Sequence, residues 1–191
     1  LTNLNLSGNR LRELSATIGQ FTNLGSLNLS SNQLSALPPE IGQLAHLTTF
    51  WLYQNEFTQL PPAIGQLTGL TDLILWGNAL RTLPPEIGQL THLERLDLWL
   101  NQLEELPPEI GQLKNLQQLR LRDNRLRALP PEIGQLTNLT YLDLSNNDLT
   151  TLPREIGQLA NLEALNIRDN AIEELPRELR DIPGLIIHWR E

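Results

Sequence analysis

The sequence predicts an α/β solenoid, a stack of like units with a parallel β-sheet along one side and short helical turns along the other. Leucine opens a unit every 23 residues, at Leu1, Leu24, Leu47, Leu70, Leu93, Leu116, Leu139 and Leu162, with no insertion or deletion. Inside each unit, apolar residues first alternate with polar ones at a spacing of two, the period of a strand. A proline pair and a glycine then punctuate the second half in most units, a composition suited to a short turn. A fixed period between about twenty and fifty residues marks a stacked array rather than a globule with one closed core. Residues 1–184 thus make eight repeats, and 185–191 form a truncated ninth or a C-terminal cap.

The sixth repeat, Leu116–Asn138, shows how each element arises. Leu119 and Leu121, at repeat positions 4 and 6, alternate with polar neighbours and define the strand. Position 9 is asparagine in all eight copies, from Asn9 to Asn170. A short amide can bond backbone groups where the chain turns, so one per repeat predicts a ladder of such bonds. Pro130 and Pro131 pre-set φ for a short helical turn. Ile133 and Leu136 give that turn its inner side, and Gly134 is expected to limit its length. One repeat alone cannot bury its seven apolar side chains. Stacking removes them from water, worth about 1.5–3 kcal/mol for each large one.

The resulting pattern, LxxLxLxxNxLxxLPxxIGxL, resembles the leucine-rich repeat family over the whole chain. That resemblance implies a curved, horseshoe-shaped solenoid with its parallel sheet on the concave side and short helices or extended turns outside. The nearly verbatim LPPEIGQL segment is similar to repeats of bacterial leucine-rich-repeat proteins. It is also similar to those of intracellular signalling proteins, among them the arrays that precede the GTPase domain of Roco proteins. No GxxxxGK[ST] loop occurs in the chain, so a GTPase would have to lie outside these residues.

The ends depart from the pattern. The chain opens at the first residue of a repeat, where arrays usually carry an atypical polar cap, so a fragment of a longer protein is expected. In the tail, the 23-residue register would turn His188 and Arg190 inward. A slip of one residue would instead turn Ile187 and Trp189 inward as an apolar lid, and capping favours the slip.

Composition narrows the function classes. A net charge of -8 and a pI near 4.9 argue against nucleic acid or an anionic membrane as the main partner. No apolar run reaches about 18 residues, so nothing reads as a membrane span. The absence of cysteine removes disulfides and thiolate chemistry and suits a reducing, cytoplasmic setting. A secreted or surface protein of a bacterium is the alternative. His46 and His92 share position 23 of the second and fourth repeats, about 10 Å apart in a parallel stack, too far to share a metal ion. The serines of the strand side have no histidine beside them to activate them. No catalytic residue, metal ligand or cofactor is therefore nominated. Glutamates at position 17, from Glu40 to Glu178, suit the first turn of a short helix and read as scaffold.

Candidate binding residues come from the outward strand positions, which stack about 4.8 Å apart into columns. Trp51 and Ile74 lie in column 5, Tyr53, Trp76 and Trp99 in column 7, and Leu100 in column 8, all within repeats three to five. Such rings can simply cover a sheet as cross-strand pairs. Six large apolar residues gathered on an otherwise polar face read better as an interaction patch, since Trp and Tyr dominate binding hot spots. Arg120 is expected to pair with Asp97 and Asp143, and Arg95 with Asp72. Arg122, between Trp99 and Ser145, is expected to lie on the indole face with donors free, as the polar specificity residue. Arg168 is a weaker candidate. The expected partner is another protein or a second domain of the same protein. Alternatives are a second copy of the chain, or single-stranded nucleic acid stacked on the rings, which the acidity disfavours.

Overall fold

The period-two stretch of each repeat folds into a three-residue strand in the computed structural model, which describes residues 1–189. The strands are β1 (Asn3–Asn5), β2 (Ser26–Asn28), β3 (Thr49–Trp51), β4 (Asp72–Ile74), β5 (Arg95–Asp97), β6 (Gln118–Arg120), β7 (Tyr141–Asp143), β8 (Ala164–Asn166) and β9 (Ile186–His188). They form one parallel, open sheet in chain order, the concave side of the solenoid. From β1 to β8 every partner lies 23 residues on, as in Leu27↔Phe50 and Phe50↔Leu73. The ladder runs past the strands, with Leu52 N–H donating to the Ile74 carbonyl at 2.8 Å and Gln54 N–H to that of Trp76 at 2.9 Å.

Each second half makes a five-residue 3-10 turn on the outer side, such as Pro131–Gln135, entered through Pro130 in extended backbone (φ -67°, ψ 145°). The glycine inside these turns provides clearance. A Cβ on Gly134 would run into the Glu155 carbonyl oxygen of the next repeat. The expectation that Gly134 limits turn length is corrected by the eighth turn, Arg177–Asp181, which has no glycine and is also five residues long.

Between sheet and turns, the leucines and isoleucines form one continuous interior from Ile18 to Ile182. The asparagine ladder edges it. Asn124 Oδ1 accepts from Leu103 N–H at 2.9 Å, and its Nδ2 donates to the carbonyls of Leu98 and Leu121, each at 3.0 Å. Each such asparagine fastens its own turn to the preceding repeat. Asn9 donates only within its own turn, to Leu6 and Ser7.

The last strand is displaced by one residue. Leu165 pairs with Ile187, an offset of 22 rather than 23. Ile187, Leu185 and Trp189 pack against the interior, while Ile186 is 59% exposed. Arg190 lies outside the described residues. Among those described, no helix is long and apolar enough to cross a membrane.

Candidate functional site

Strand alternation sends positions 4 and 6 inward and leaves 3, 5 and 7 on the sheet face. There the structure brings the aromatic residues of repeats three to five together. Tyr53 and Trp76 stack at 4.6 Å between ring centroids, 6° from parallel, and Trp76 and Trp99 at 5.0 Å and 22°. Trp76 therefore has a ring on each of its faces. Trp51 ends β3 opposite Ile74. Ile74 is only 7% exposed yet belongs to no part of the interior, so side chains of the sheet face itself must cover it. Trp51, Tyr53, Trp76 and Trp99 remain half-buried. Among the described residues, none of the three indole N–H groups has a protein acceptor, and none is sealed from solvent.

Leu100 borders the stack, 49% exposed. It also has φ +56°, in the left-handed region. So does all of column 8, whose other members are Gly8, Ser31, Gln54, Gly77, Asp123, Asn146 and Asp169. Glycine and short polar residues accept that backbone readily, whereas a leucine side chain is strained by roughly 1–2 kcal/mol. The left-handed turn went unforeseen, although the small and polar make-up of column 8 signals it.

The charges sort differently from the sequence expectation. Arg120 Nη1 pairs with Asp97 Oδ2 at 3.3 Å, as expected. Its other neighbour is the Tyr141 ring, 5.8 Å to the centroid, rather than Asp143. Asp143 instead accepts from the Tyr141 hydroxyl at 3.2 Å and the Ser145 hydroxyl at 2.7 Å. Arg122 turns away from Trp99, its Nε donating to Asp123 Oδ2 at 3.1 Å. The two positions adjoin, and a carboxylate outcompetes a ring already stacked on one face. Arg95 forms no ion pair with Asp72, whose Oδ2 accepts from the Thr71 hydroxyl at 2.9 Å. Arg95 Nε is buried without an acceptor. Arg168 is exposed. Burial pushes the Asp97 carboxyl above its usual range against the pull of Arg120.

The histidines do backbone work. His46 Nδ1 lies 3.0 Å from the Thr22 carbonyl and His92 Nδ1 2.9 Å from that of Thr68, contacts in which the ring nitrogen donates. Asn115 makes the same bond to Thr91 at 2.8 Å. Among the described residues, no group of three or more His, Cys, Asp or Glu could hold a metal ion.

Strands inside, 3-10 turns outside and an asparagine ladder at a 23-residue pitch define a leucine-rich-repeat solenoid. The chain belongs to the leucine-rich repeat family: a family model described as Leucine-rich repeat region matches residues 2–102, and one described as Leucine rich repeat matches residues 114–172. Members of this family generally serve as protein–protein interaction modules and are typically non-catalytic. A leucine-rich-repeat protein of Leptospira interrogans is 40% identical with a TM-score of 0.75, over 98% of this chain and 54% of its own. The chain thus spans about half the length of that protein. The leucine-rich repeat domain of the type III effector XopL is 30% identical with a TM-score of 0.86, over 100% of this chain and 69% of its own. The ectodomain of the Arabidopsis thaliana receptor kinase GASSHO1/SCHENGEN3, solved in complex with CASPARIAN STRIP INTEGRITY FACTOR 2, is 28% identical with a TM-score of 0.73, over 98% of this chain and 27% of its own. No curated protein matches the chain in sequence.

Proposed function

We propose that this chain binds another protein through its sheet face, with the aromatic stack of repeats three to five as the anchor. The observation that carries this reading is the Tyr53–Trp76–Trp99 stack, bordered by Trp51 and Leu100 on the side facing water. Aromatic residues on an exposed face supply the desolvation energy of binding hot spots. Trp76 spends both ring faces on its neighbours and so offers no stacking platform of its own to a nucleic-acid base. The receptor kinase similar to this chain is named in complex with a protein factor, which supports a protein ligand. The similarity to a Leptospira interrogans protein and a type III effector domain favours a bacterial setting over a Roco-type one.

The test is capture of binding proteins by the native chain and by Trp76→Ser/Trp99→Ser, with circular dichroism confirming that both fold. Loss of a captured protein by this variant, and its retention by Glu86→Ala/Glu109→Ala on the outer turns, is expected. Equal capture by both variants would move the binding surface off the sheet.

A further inference from the structure

Arg95 is the one half-buried arginine of the sheet face whose side chain finds no acceptor among the described residues. Arg120 is held by Asp97 at 3.3 Å and Arg122 by Asp123 at 3.1 Å. Two carboxylates flank Arg95 in the register, Asp72 opposite it on β4 and Asp97 two residues further along β5. Neither gives it a hydrogen bond: Asp72 accepts from the Thr71 hydroxyl at 2.9 Å and Asp97 pairs with Arg120, while Arg95 acts on Asp97 only through its charge. Arg95 Nε is sealed from water without a hydrogen bond, while the terminal nitrogens are not sealed. A buried donor left unpaired is costly in the free protein, so an acceptor that draws the guanidinium into a paired pose recovers more than an ordinary surface contact would.

Resting on the sheet-face reading above, we infer that the partner is an acidic–apolar polypeptide segment, with a carboxylate on Arg95 and an apolar side chain against the aromatic stack. Arg95 and Trp99 stand at positions 3 and 7 of one repeat, about 13 Å apart along extended backbone. A partner segment lying along the strand covers that span in about four residues. The apolar anchor meets Trp99 and Leu100, while the indole N–H groups offer donors to the partner's backbone carbonyls. Arg95 thus takes the specificity role that the sequence suggested for Arg122.

The probe is a displayed library of random twelve-residue peptides, selected on the immobilised full chain and then sequenced. Enrichment of Asp or Glu within about four positions of Phe, Trp, Leu or Ile is expected. Selected peptides should bind Arg95→Gln about tenfold more weakly, a loss of about 1.4 kcal/mol. They should bind Arg154→Gln, an exposed arginine of an outer turn, as tightly as the native chain. Trp76→Ser should abolish binding. If Trp76→Ser abolishes binding but Arg95→Gln does not weaken it, the acidic partner is wrong and the sheet-face reading stands. If the selected peptides are rich in Lys or Arg, the inference likewise falls alone. If they ignore Trp76→Ser, or no peptide is selected, both readings fall. Sedimentation of the free chain as a dimer that Trp76→Ser dissolves would make a second copy the occupant and overturn the inference.

Discussion

The outer turns and the sheet face are built from the same repeats under opposite constraints. On the outer side, LPPEIGQL recurs almost verbatim because the neighbouring copy fills the available space. A Cβ on Gly88 would meet the Glu109 carbonyl oxygen at 2.7 Å, and one on Gly111 the Glu132 oxygen at 2.6 Å. On the sheet face the neighbours are water and the side chains of adjoining columns, and the repeats place very different residues there. Repeat two places Asn28 and Ser30 where repeat four places Ile74 and Trp76, with the same strand register. Aromatic rings are therefore not something the sheet requires, and their grouping carries information that the turns do not.

The sharpest break between constrained and free positions falls at the ladder. Asn124→Ala should cost about 3–5 kcal/mol, because the Leu103 N–H and the Leu98 and Leu121 carbonyls lose their partner in a buried place. Asn9→Ala should cost less than about 1 kcal/mol, its bonds being exposed and confined to its own turn. Urea titration of both variants measures the difference, and equal losses would show that the ladder does not fasten one repeat to the next. Next in size is Gly134→Ala, expected to cost about 1–3 kcal/mol as two turns are pushed apart. The comparison variant is Gly8→Ala, whose Cβ meets nothing within 4 Å but sits at φ +67°. It should cost about 1 kcal/mol through backbone strain alone. A loss at Gly134 no larger than at Gly8 would remove clearance as the reason for the repeated glycine.

Leu100 has the opposite sign. Leu100→Gly should stabilise the chain by about 1 kcal/mol, since Gly77 holds the same left-handed position in the preceding repeat without strain. The same variant should bind a selected peptide more weakly, having lost its exposed apolar side chain. A raised urea midpoint together with weakened binding marks a residue kept for recognition. A lowered midpoint would mean that Leu100 packs usefully on the stack and that its strain is repaid within the fold.

What the sequence disclosed follows the same division. The repeat pitch, the inward leucines, the asparagine ladder and the displaced β9 were all readable, because each answers to a period or to an exposed apolar end. The grouping of Trp51, Tyr53, Trp76 and Trp99 was readable too, since a parallel stack turns repeat position into column. The settings of Arg95 and Arg122 were not. Each has competing settings within reach of a long side chain, a ring and a carboxylate for Arg122, the carboxylates of Asp72 and Asp97 and open solvent for Arg95. Column order cannot choose between rotamers of similar energy. The role of Gly134 was misread for a related reason: a glycine needed for clearance looks the same in sequence as one that ends a turn.

The smallest expected effect tests what holds the sheet face together beside the rings. Asp97 is 3% exposed, and burial raises its pKa above the ordinary carboxylate value of 3.8 even with Arg120 beside it. Folding thus favours its protonated form. That contribution to stability is complete below pH 3.8 and is lost as the pH rises through the raised value. Asn5 and Asn28 occupy the same position in repeats one and two, their Oδ1 atoms accepting the N–H of Ser7 and Ser30 at 3.0 Å. An asparagine at 97 can accept from Trp99 in the same way and carries no charge to bury. Urea midpoints for Asp97→Asn and the native chain, compared from pH 3 to pH 7, should therefore diverge, with the native chain losing ground as the pH rises. Arg120, a third exposed, would be left with Gln118 and the Tyr141 ring, a modest loss for a partly solvated cation. If the native chain instead gains on the variant with rising pH, the Asp97–Arg120 pair outweighs its own burial, and charge rather than ring contact ties the aromatic half of the face to the charged half.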